Sequence, residues 1–159
     1  MFKNILVPTD LADKSKRSIT AALELAVQGG GHVELLHIVE KVGGDSDGEM
    51  EGFYLKLAEE ACQKLTVWQQ KFQEEFPSVK LEKTISVGRR AQEVLNFCQE
   101  KEIDLIVMTS RTFSIEGSNK ENDDKEIQGK TVERNKTYGL GTLSHQIALF
   151  APISVLVVR

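Results

Sequence analysis

The chain has 159 residues, 40 % of them hydrophobic, which is enough for one domain with a substantial core. Its formal net charge of -4 argues against nucleic acid as a default partner. No apolar run approaches the length of a membrane span, and the first residues lack the basic region and long apolar segment of a signal peptide. We therefore expect a cytoplasmic protein that does not bind a membrane.

The first half of the chain predicts two strands and two long helices. Residues 5–8 form a short, continuously apolar run, which is typical of a central strand in a parallel sheet. Apolar residues at helical spacing then predict a helix over residues 14–28, and three glycines end it. A second strand is predicted over residues 32–39. After a Gly- and Asp-rich loop, a second helix is predicted over residues 53–75, with Tyr54 and Trp68 in its buried stripe.

The second half continues the alternation of strands and helices. Residues 79–85 partly alternate between polar and apolar, which favours an edge strand. A helix follows Gly88, and strands are predicted over residues 103–108 and 153–158 with a short helix over 143–150 between them. Five strands alternating with four helices predict a parallel sheet with helices on both faces.

The carboxyl ends of the strands are the expected ligand site in such a sheet. Thr9, Asp10, Val39 and the run Thr109-Ser110-Arg111-Thr112 all follow or end predicted strands. Gly141-Thr142 opens a helix, where backbone N–H groups and the helix dipole favour an anion. These residues meet at one edge if the first and fourth strands are neighbours.

Six segments, taken in order, carry a resemblance to a known family. They are residues 4–10 (NILVPTD), 36–39 (LHIV), 87–88 (VG) ahead of a helix, 104–112 (DLIVMTSRT), 141–142 (GT) and 151–159 (APISVLVVR). The pattern resembles the universal stress protein family over nearly the whole chain. The resemblance implies one domain over residues 1–159 with a doubly wound, Rossmann-like α/β fold, similar to the adenine nucleotide alpha hydrolases. It further implies the strand order 3-2-1-4-5 and a homodimer.

The resemblance also implies a site for ATP or AMP. Asp10 would meet the ribose or adenine side, the backbone near Ile38 and Val39 would pair with the adenine edge, and Gly141 and Thr142 would hold phosphate. Nucleotide-binding members carry Gly-x-x-Gly in the loop after the fourth strand. This chain has Thr109 and Thr112 in place of both glycines, and a polar insertion at about residues 113–138.

Several of these residues have a second interpretation. The threonines either obstruct a phosphate, because a β-branched side chain fits a glycine-like loop poorly, or turn their hydroxyls towards it. Asp10 either contacts the nucleoside or caps the next turn. Arg111 either neutralises a phosphate or is a solvated surface residue. The candidate nucleotide-binding residues are Thr9, Asp10, Ile38, Val39, Thr109, Ser110, Arg111, Thr112, Gly141 and Thr142.

No residue pattern predicts catalysis or a metal. His32, His37 and His145 are scattered over different elements, and no serine lies in a nucleophile-elbow motif. Cys62 and Cys98 fall on apolar helix faces and are expected to be small buried hydrophobic residues. Arg89 and Arg90 begin a helix, where we expect a solvated surface rather than an anion clamp.

The last strand and the insertion complete the predictions. The insertion carries acidic and basic residues with few large apolar ones, so we expect it to be mobile, either as a lid or as a tolerated surface segment. The last strand is long, apolar and at the sheet edge, so we expect dimerisation through Ile153, Val155 and Val157.

Two functions remain open. The first is a non-catalytic, homodimeric stress-response domain that binds AMP or ATP weakly, with at most slow ATP hydrolysis. The alternative is a nucleotide-independent interaction module of the same family, with unknown protein partners.

Overall fold

The fold is an α/β sandwich whose elements alternate along the chain. The computed structural model describes residues 1–41, 48, 50–110 and 142–159, without the side chain of Thr142. The strands are β1 (Asn4–Pro8), β2 (His32–Glu40), β3 (Lys80–Gly88), β4 (Leu105–Thr109) and β5 (Ser154–Val158). The helices are α1 (Lys16–Gly29), α2 (Glu51–Glu75), α3 (Arg90–Glu100) and α4 (Thr142–Phe150), and a 3-10 turn (Asp13–Ser15) leads into α1.

The five strands form one sheet in the order β3-β2-β1-β4-β5, and every pair is parallel. This confirms the predicted doubly wound order 3-2-1-4-5 and places β3 and β5 at the two edges. The registers pair Ile5 with Val33 on one side of β1 and with Leu105 on the other. β1 is therefore the central strand, as its continuous apolar run predicts.

The β1–β4 junction is reinforced at the amino-terminal edge of the sheet. The carboxylate of Asp104 accepts hydrogen bonds from the backbone N–H of Lys3 (2.8 Å) and of Asn4 (3.2 Å). The backbone N–H of Asp104 in turn donates to the carbonyl of Asn4 at 3.0 Å. This junction joins residues 100 and 101 positions apart in the chain.

Two apolar layers lie on opposite faces of the sheet. Odd-numbered side chains of β1 to β4, such as Val7 and Leu35, pack against α1 and α2. Even-numbered side chains, such as Leu6 and Leu36, pack against α3 and α4. This division follows from the alternation of side chains along a strand. Tyr54 and Trp68 are buried, as predicted.

The ends of α1 and β3 and the burial of the two cysteines can be compared with the predictions. α1 ends as predicted at the glycines, because Gly30 adopts a left-handed conformation (φ 62°) that a glycine reaches without strain. β3 runs to Gly88, three residues further than predicted, because residues of β2 as far as Glu40 pair with it. The prediction for Cys62 was wrong: its side chain is exposed, whereas Cys98 is buried.

Some expectations fall on parts of the chain that the structure does not describe. Arg111, Thr112, Gly141, the side chain of Thr142 and the insertion at about 113–138 lie outside the described residues. Their roles stay predictions. Among the described helices, none combines the length and the apolar character that crossing a membrane requires.

Candidate functional site

The candidate site lies where the strand order reverses. From β1 the chain proceeds to β2 and β3 on one side, and β4 and β5 occupy the other side. The loops that leave the carboxyl ends of β1 and β4 therefore turn in opposite directions and leave a crevice between them. The predicted neighbourhood of β1 and β4 is confirmed, so Thr9, Asp10, Thr109 and Ser110 share this edge.

Thr9 is the central residue of this edge, and its polar groups are all engaged. Its backbone N–H donates to the carbonyl of Leu36 at 2.9 Å, and its carbonyl accepts from Nδ1 of His37 at 2.9 Å. Its buried hydroxyl lies 2.8 Å from Oγ of Ser15 and accepts from the backbone N–H of Leu11 at 3.1 Å. Thr9 therefore fixes the path of the chain from β1 towards α1.

Asp10 is exposed and stabilises the turn that follows β1. Its Oδ1 accepts a hydrogen bond from the backbone N–H of Ala12 at 3.0 Å, two residues ahead, which is the geometry of an Asx turn. The capping interpretation of Asp10 is thus confirmed, and contact with a nucleoside stays a prediction. Leu11, which lies between Asp10 and Ala12 in this turn, has a φ of 61°, a left-handed conformation that is unusual for a branched side chain.

β2 extends beyond β1 at this edge and leaves part of its backbone facing the crevice. Pairing between the two strands stops at Pro8 and Leu36, whereas β2 continues to Glu40. The carbonyl of Leu36 points towards β1, because it accepts from Thr9. Backbone groups alternate in direction along a strand, so the N–H and C=O of Ile38 also point to that side, where no described strand lies.

The same alternation separates Ile38 from Val39. The peptide groups of Val39 face β3, where Val39 pairs with Val87. Both side chains are buried in the core. Of the two residues predicted to meet an adenine edge, Ile38 is therefore the one whose peptide groups are directed at the crevice.

Thr109 ends β4 with its side chain turned towards α1. Its hydroxyl donates to Oγ of Ser18 at 3.1 Å and lies 3.4 Å from the carbonyl of Lys14. Ser110 is buried, and its backbone N–H donates to the carbonyl of Val158 at 3.2 Å. The first of the two threonines that replace glycines is thus bonded to the neighbouring helix in this structure.

A cationic cavity of about 450 Å³ opens at the same edge, on the face covered by α3 and α4. Its lining residues are Glu40, Lys41, Arg89, Arg90, Ala91, Gln92, Leu143 and Gln146. Arg90 forms an ion pair with Glu40 across the ends of β2 and α3. The two arginines are exposed, as expected, but they also line this cavity rather than facing solvent alone.

Lys41, Arg89 and Arg90 are not among the residues that the sequence predicts for the site. A detectable signal was present, because Lys41 directly follows the second strand and Arg89 directly follows the third. Cations placed just after neighbouring parallel strands lie at the carboxyl edge of the sheet. The predicted dimer residues Ile153, Val155 and Val157 are half-buried and pack against the α3 and α4 layer.

Comparison with known proteins agrees with this architecture. The model of the universal stress protein family matches residues 1–159. The chain belongs to the universal stress protein family. A curated relative, universal stress protein MJ0531 of Methanocaldococcus jannaschii, is 30 % identical over 111 residues. These are 68 % of this chain and 64 % of the relative, so the match spans less than two thirds of the relative's length.

Solved structures of the family have the same fold. Universal stress protein UspA from Lactobacillus plantarum has a TM-score of 0.72 at 22 % identity, covering 99 % of this chain and 98 % of that one. The universal stress protein from Archaeoglobus fulgidus in complex with dAMP has a TM-score of 0.64 at 17 % identity, covering 99 % and 98 %. At these identities the likeness is one of fold.

Proposed function

We propose that this protein is a non-catalytic stress-response domain that binds an adenine nucleotide weakly in the crevice between β1 and β4. The observation that carries the proposal is the backbone of Ile38, whose N–H and C=O are directed at the crevice beside Thr9 and Asp10. Adenine presents a ring nitrogen acceptor next to an amino donor. One residue with both backbone groups facing the ligand matches that pair without any side chain.

Charge at the same edge supports an anionic ligand. Lys41, Arg89 and Arg90 bring three positive charges to the adjoining cavity, and Glu40 removes only one of them. α4 also begins at this edge, and the amino end of a helix favours a phosphate. The universal stress protein from Archaeoglobus fulgidus, a structural neighbour, was solved in complex with dAMP. In that protein, the fold therefore accommodates a nucleotide of this size.

The hydroxyl groups at the edge favour binding over catalysis. Ser15 donates to the carbonyl of Ala12 at 2.7 Å, and Ser18 donates to the carbonyl of Ser15 at 2.7 Å. A nucleophilic serine instead needs a base that accepts its proton. Neither serine is therefore arranged as a nucleophile, and we expect at most slow ATP hydrolysis in a phosphate-release assay.

Calorimetric titration with AMP, ATP and GMP tests the binding proposal. We expect AMP and ATP to bind and GMP to bind less well, because guanine reverses the donor and acceptor pattern at the paired edge. Asp10→Asn retains the acceptor for Ala12 but loses the charge of the carboxylate. Because the expected contact of Asp10 is with the nucleoside, this variant should weaken the binding of AMP and of adenosine alike. Asp13→Asn, at an exposed carboxylate paired with Lys16, is the matched control. An absence of AMP and ATP binding at saturating concentrations would refute the proposal.

We also propose that the protein is a homodimer formed through β5. That strand is a sheet edge, and an uncovered apolar edge invites pairing with another chain. Exposed apolar side chains lie on β5 and on the helix before it: Leu149 (62 % exposed), Phe150 (68 %) and Leu156 (40 %). A second copy, related by a two-fold axis, would cover them.

A nucleotide-independent interaction module is the second candidate. The exposed apolar side chains of Met50 and Phe53 at the start of α2 favour it, because residues three apart on a helix are neighbours. Such a patch is typical of a surface that binds another protein. The same titration separates the two candidates, because only the first predicts heat on mixing with AMP.

A further inference from the structure

Three potential metal ligands meet at the other end of the sheet, far along β2 and β3 from the nucleotide crevice. His32 begins β2, and Glu34 follows two residues later on the same face of the strand. Glu82 of β3 lies directly opposite Glu34 in the register. One donor atom from each of the three side chains lies within 4.8 Å of the other two.

Glu34 is the residue that makes this cluster unusual. It is only 6 % exposed, yet it makes no ion pair with any residue in the described part of the chain. Its hydrogen-bond partner is the hydroxyl of Thr84, which donates to Oε1 at 2.7 Å. A buried carboxylate requires a compensating charge, and a neutral hydroxyl does not supply one.

The register adds a second requirement for positive charge. Two carboxylates directly opposite each other on neighbouring strands repel. Lys80 lies beside only one of the two: its Nζ is 2.9 Å from Oε2 of Glu82, and it forms no ion pair with Glu34. Among the described residues, Glu34 is therefore the buried member of the pair that no cation neutralises.

We propose that His32, Glu34 and Glu82 bind one divalent transition-metal ion, with Zn²⁺ as the best-matched probe. One imidazole nitrogen and two carboxylate oxygens form a three-ligand set that suits Zn²⁺ and leaves a fourth position for water. The bond from Thr84 holds Glu34 in place, as hydrogen bonds to metal-ligating carboxylates commonly do. Glu82, with a side chain 47 % exposed, can turn to shorten the distances.

Lys80 is the expected competitor of the metal. Its Nζ lies 2.9 Å from Oε2 of Glu82, so it neutralises the most exposed of the three ligands. A metal ion that binds Glu82 must share that carboxylate with Lys80 or displace it. Replacing Lys80 with Gln should therefore tighten metal binding, an effect that a purely structural role of the cluster does not produce.

Calorimetric titration with ZnCl₂ tests the site, with the Cys62→Ser protein as the background because an exposed thiol also binds Zn²⁺. We expect one Zn²⁺ per chain, and a dissociation constant raised on the order of tenfold or more by His32→Asn or Glu82→Gln. His145→Asn on α4 and Glu59→Gln on α2 are matched controls, since both residues are exposed and outside the cluster.

Two results would overturn the proposal. One is no Zn²⁺ binding by the background protein in the millimolar range. The other is equal binding by the His32→Asn and His145→Asn proteins, which would place the ion elsewhere. Because Glu34→Gln alters a buried residue, thermal melts in EDTA must first show that it folds. The visible absorption of bound Co²⁺, retained in His145→Asn and lost in His32→Asn, gives an independent measurement on residues that are not buried.

Discussion

At the residue scale, four hydroxyl side chains connect the ends of β1 and β4 to the start of α1. Thr9 contacts Ser15, Ser15 and Ser18 donate to backbone carbonyls in the turn, and Thr109 donates to Ser18. These contacts lie beneath the proposed nucleotide crevice. Thr109, which stands where nucleotide-binding members of the family carry a glycine, thus has a structural role that a glycine could not fill.

Removing the hydroxyl of Thr109 should lower the free energy of unfolding. Thr109→Val keeps the shape but loses the bond to Ser18, so we expect a loss of about 0.5–1.5 kcal/mol, the usual contribution of one hydrogen bond. Urea denaturation measures it. Thr109→Ser, which keeps the hydroxyl, is the control. A valine variant as stable as wild type would show that the bond contributes nothing.

Restoring both glycines should separate nucleotide affinity from stability. Thr109→Gly with Thr112→Gly is expected to bind ATP more tightly, because glycine allows closer backbone approach to a phosphate. The same variant should be less stable, since it loses the Thr109 hydroxyl. Thr112→Gly alone is the control for the affinity change. Calorimetry with ATP is the measurement, and an unchanged ATP affinity would refute the obstruction argument.

The two cysteines should react with thiol reagents at very different rates. Burial raises the pKa of Cys98 to about 11, so at pH 8 only about one thiol in a thousand is ionised. Cys62 is exposed on α2. We expect one rapidly modified cysteine per folded chain, identified as Cys62 by peptide mass, and two after denaturation. Rapid modification of Cys98 in the native protein would contradict its burial.

At the element scale, β5 presents every second peptide group to its free edge. Val158 points its carbonyl towards β4, because it accepts from Ser110. The backbone of Val155 therefore faces away from β4, and that of Leu156 faces towards it. The free edge of the strand can be altered without touching the sheet.

This geometry gives a matched pair of proline variants. Val155→Pro should remove a donor from the free edge and dissociate the dimer, while leaving the β4 pairing intact. Leu156→Pro should instead break a bond to β4 and destabilise the chain itself. Light scattering gives the mass of each, and circular dichroism gives its stability. A Val155→Pro protein that stays folded and dimeric would exclude β5 as the interface.

The elements themselves were largely predictable from the sequence, because their signals are local. The apolar run in β1, the glycines after α1 and the apolar stripe of α2 each predict an element within a few residues of its observed bounds. The strand order rested on family resemblance. The length of β3 depends on pairing with β2, which no local pattern contains. Cys62 was assigned to the wrong face of α2 because one small residue barely alters the helical pattern.

At the scale of the whole molecule, the candidate sites depend on residues brought together from distant parts of the chain. The positions of Thr9 and Thr109 at the carboxyl edge of the sheet were predictable, since each follows a predicted strand. The His32 cluster was not, because Glu82 lies far along the chain and meets Glu34 only through the register of β2 and β3. Likewise, Arg90 meets Glu40 only in the folded sheet.

Dimerisation should couple the stability of the whole molecule to its concentration. If the second copy binds only the folded chain, the melting temperature must rise as protein concentration rises. We expect this rise for the wild type and its loss in Val155→Pro. Scanning calorimetry over a hundredfold range of concentration is the measurement. A concentration-independent melting temperature together with a monomer mass would refute the dimer.

The junction of β1 with Asp104 has a consequence for synthesis on the ribosome. The central strand is made first, but the partner for one of its edges follows 101 residues after Lys3. At about 5–20 residues per second, that edge waits on the order of 5–20 s, while β2 already pairs with the other edge. During this interval the strand that carries Ile5, Leu6 and Val7 has one unpaired edge. The innermost strand of the finished protein is thus its most vulnerable segment during translation.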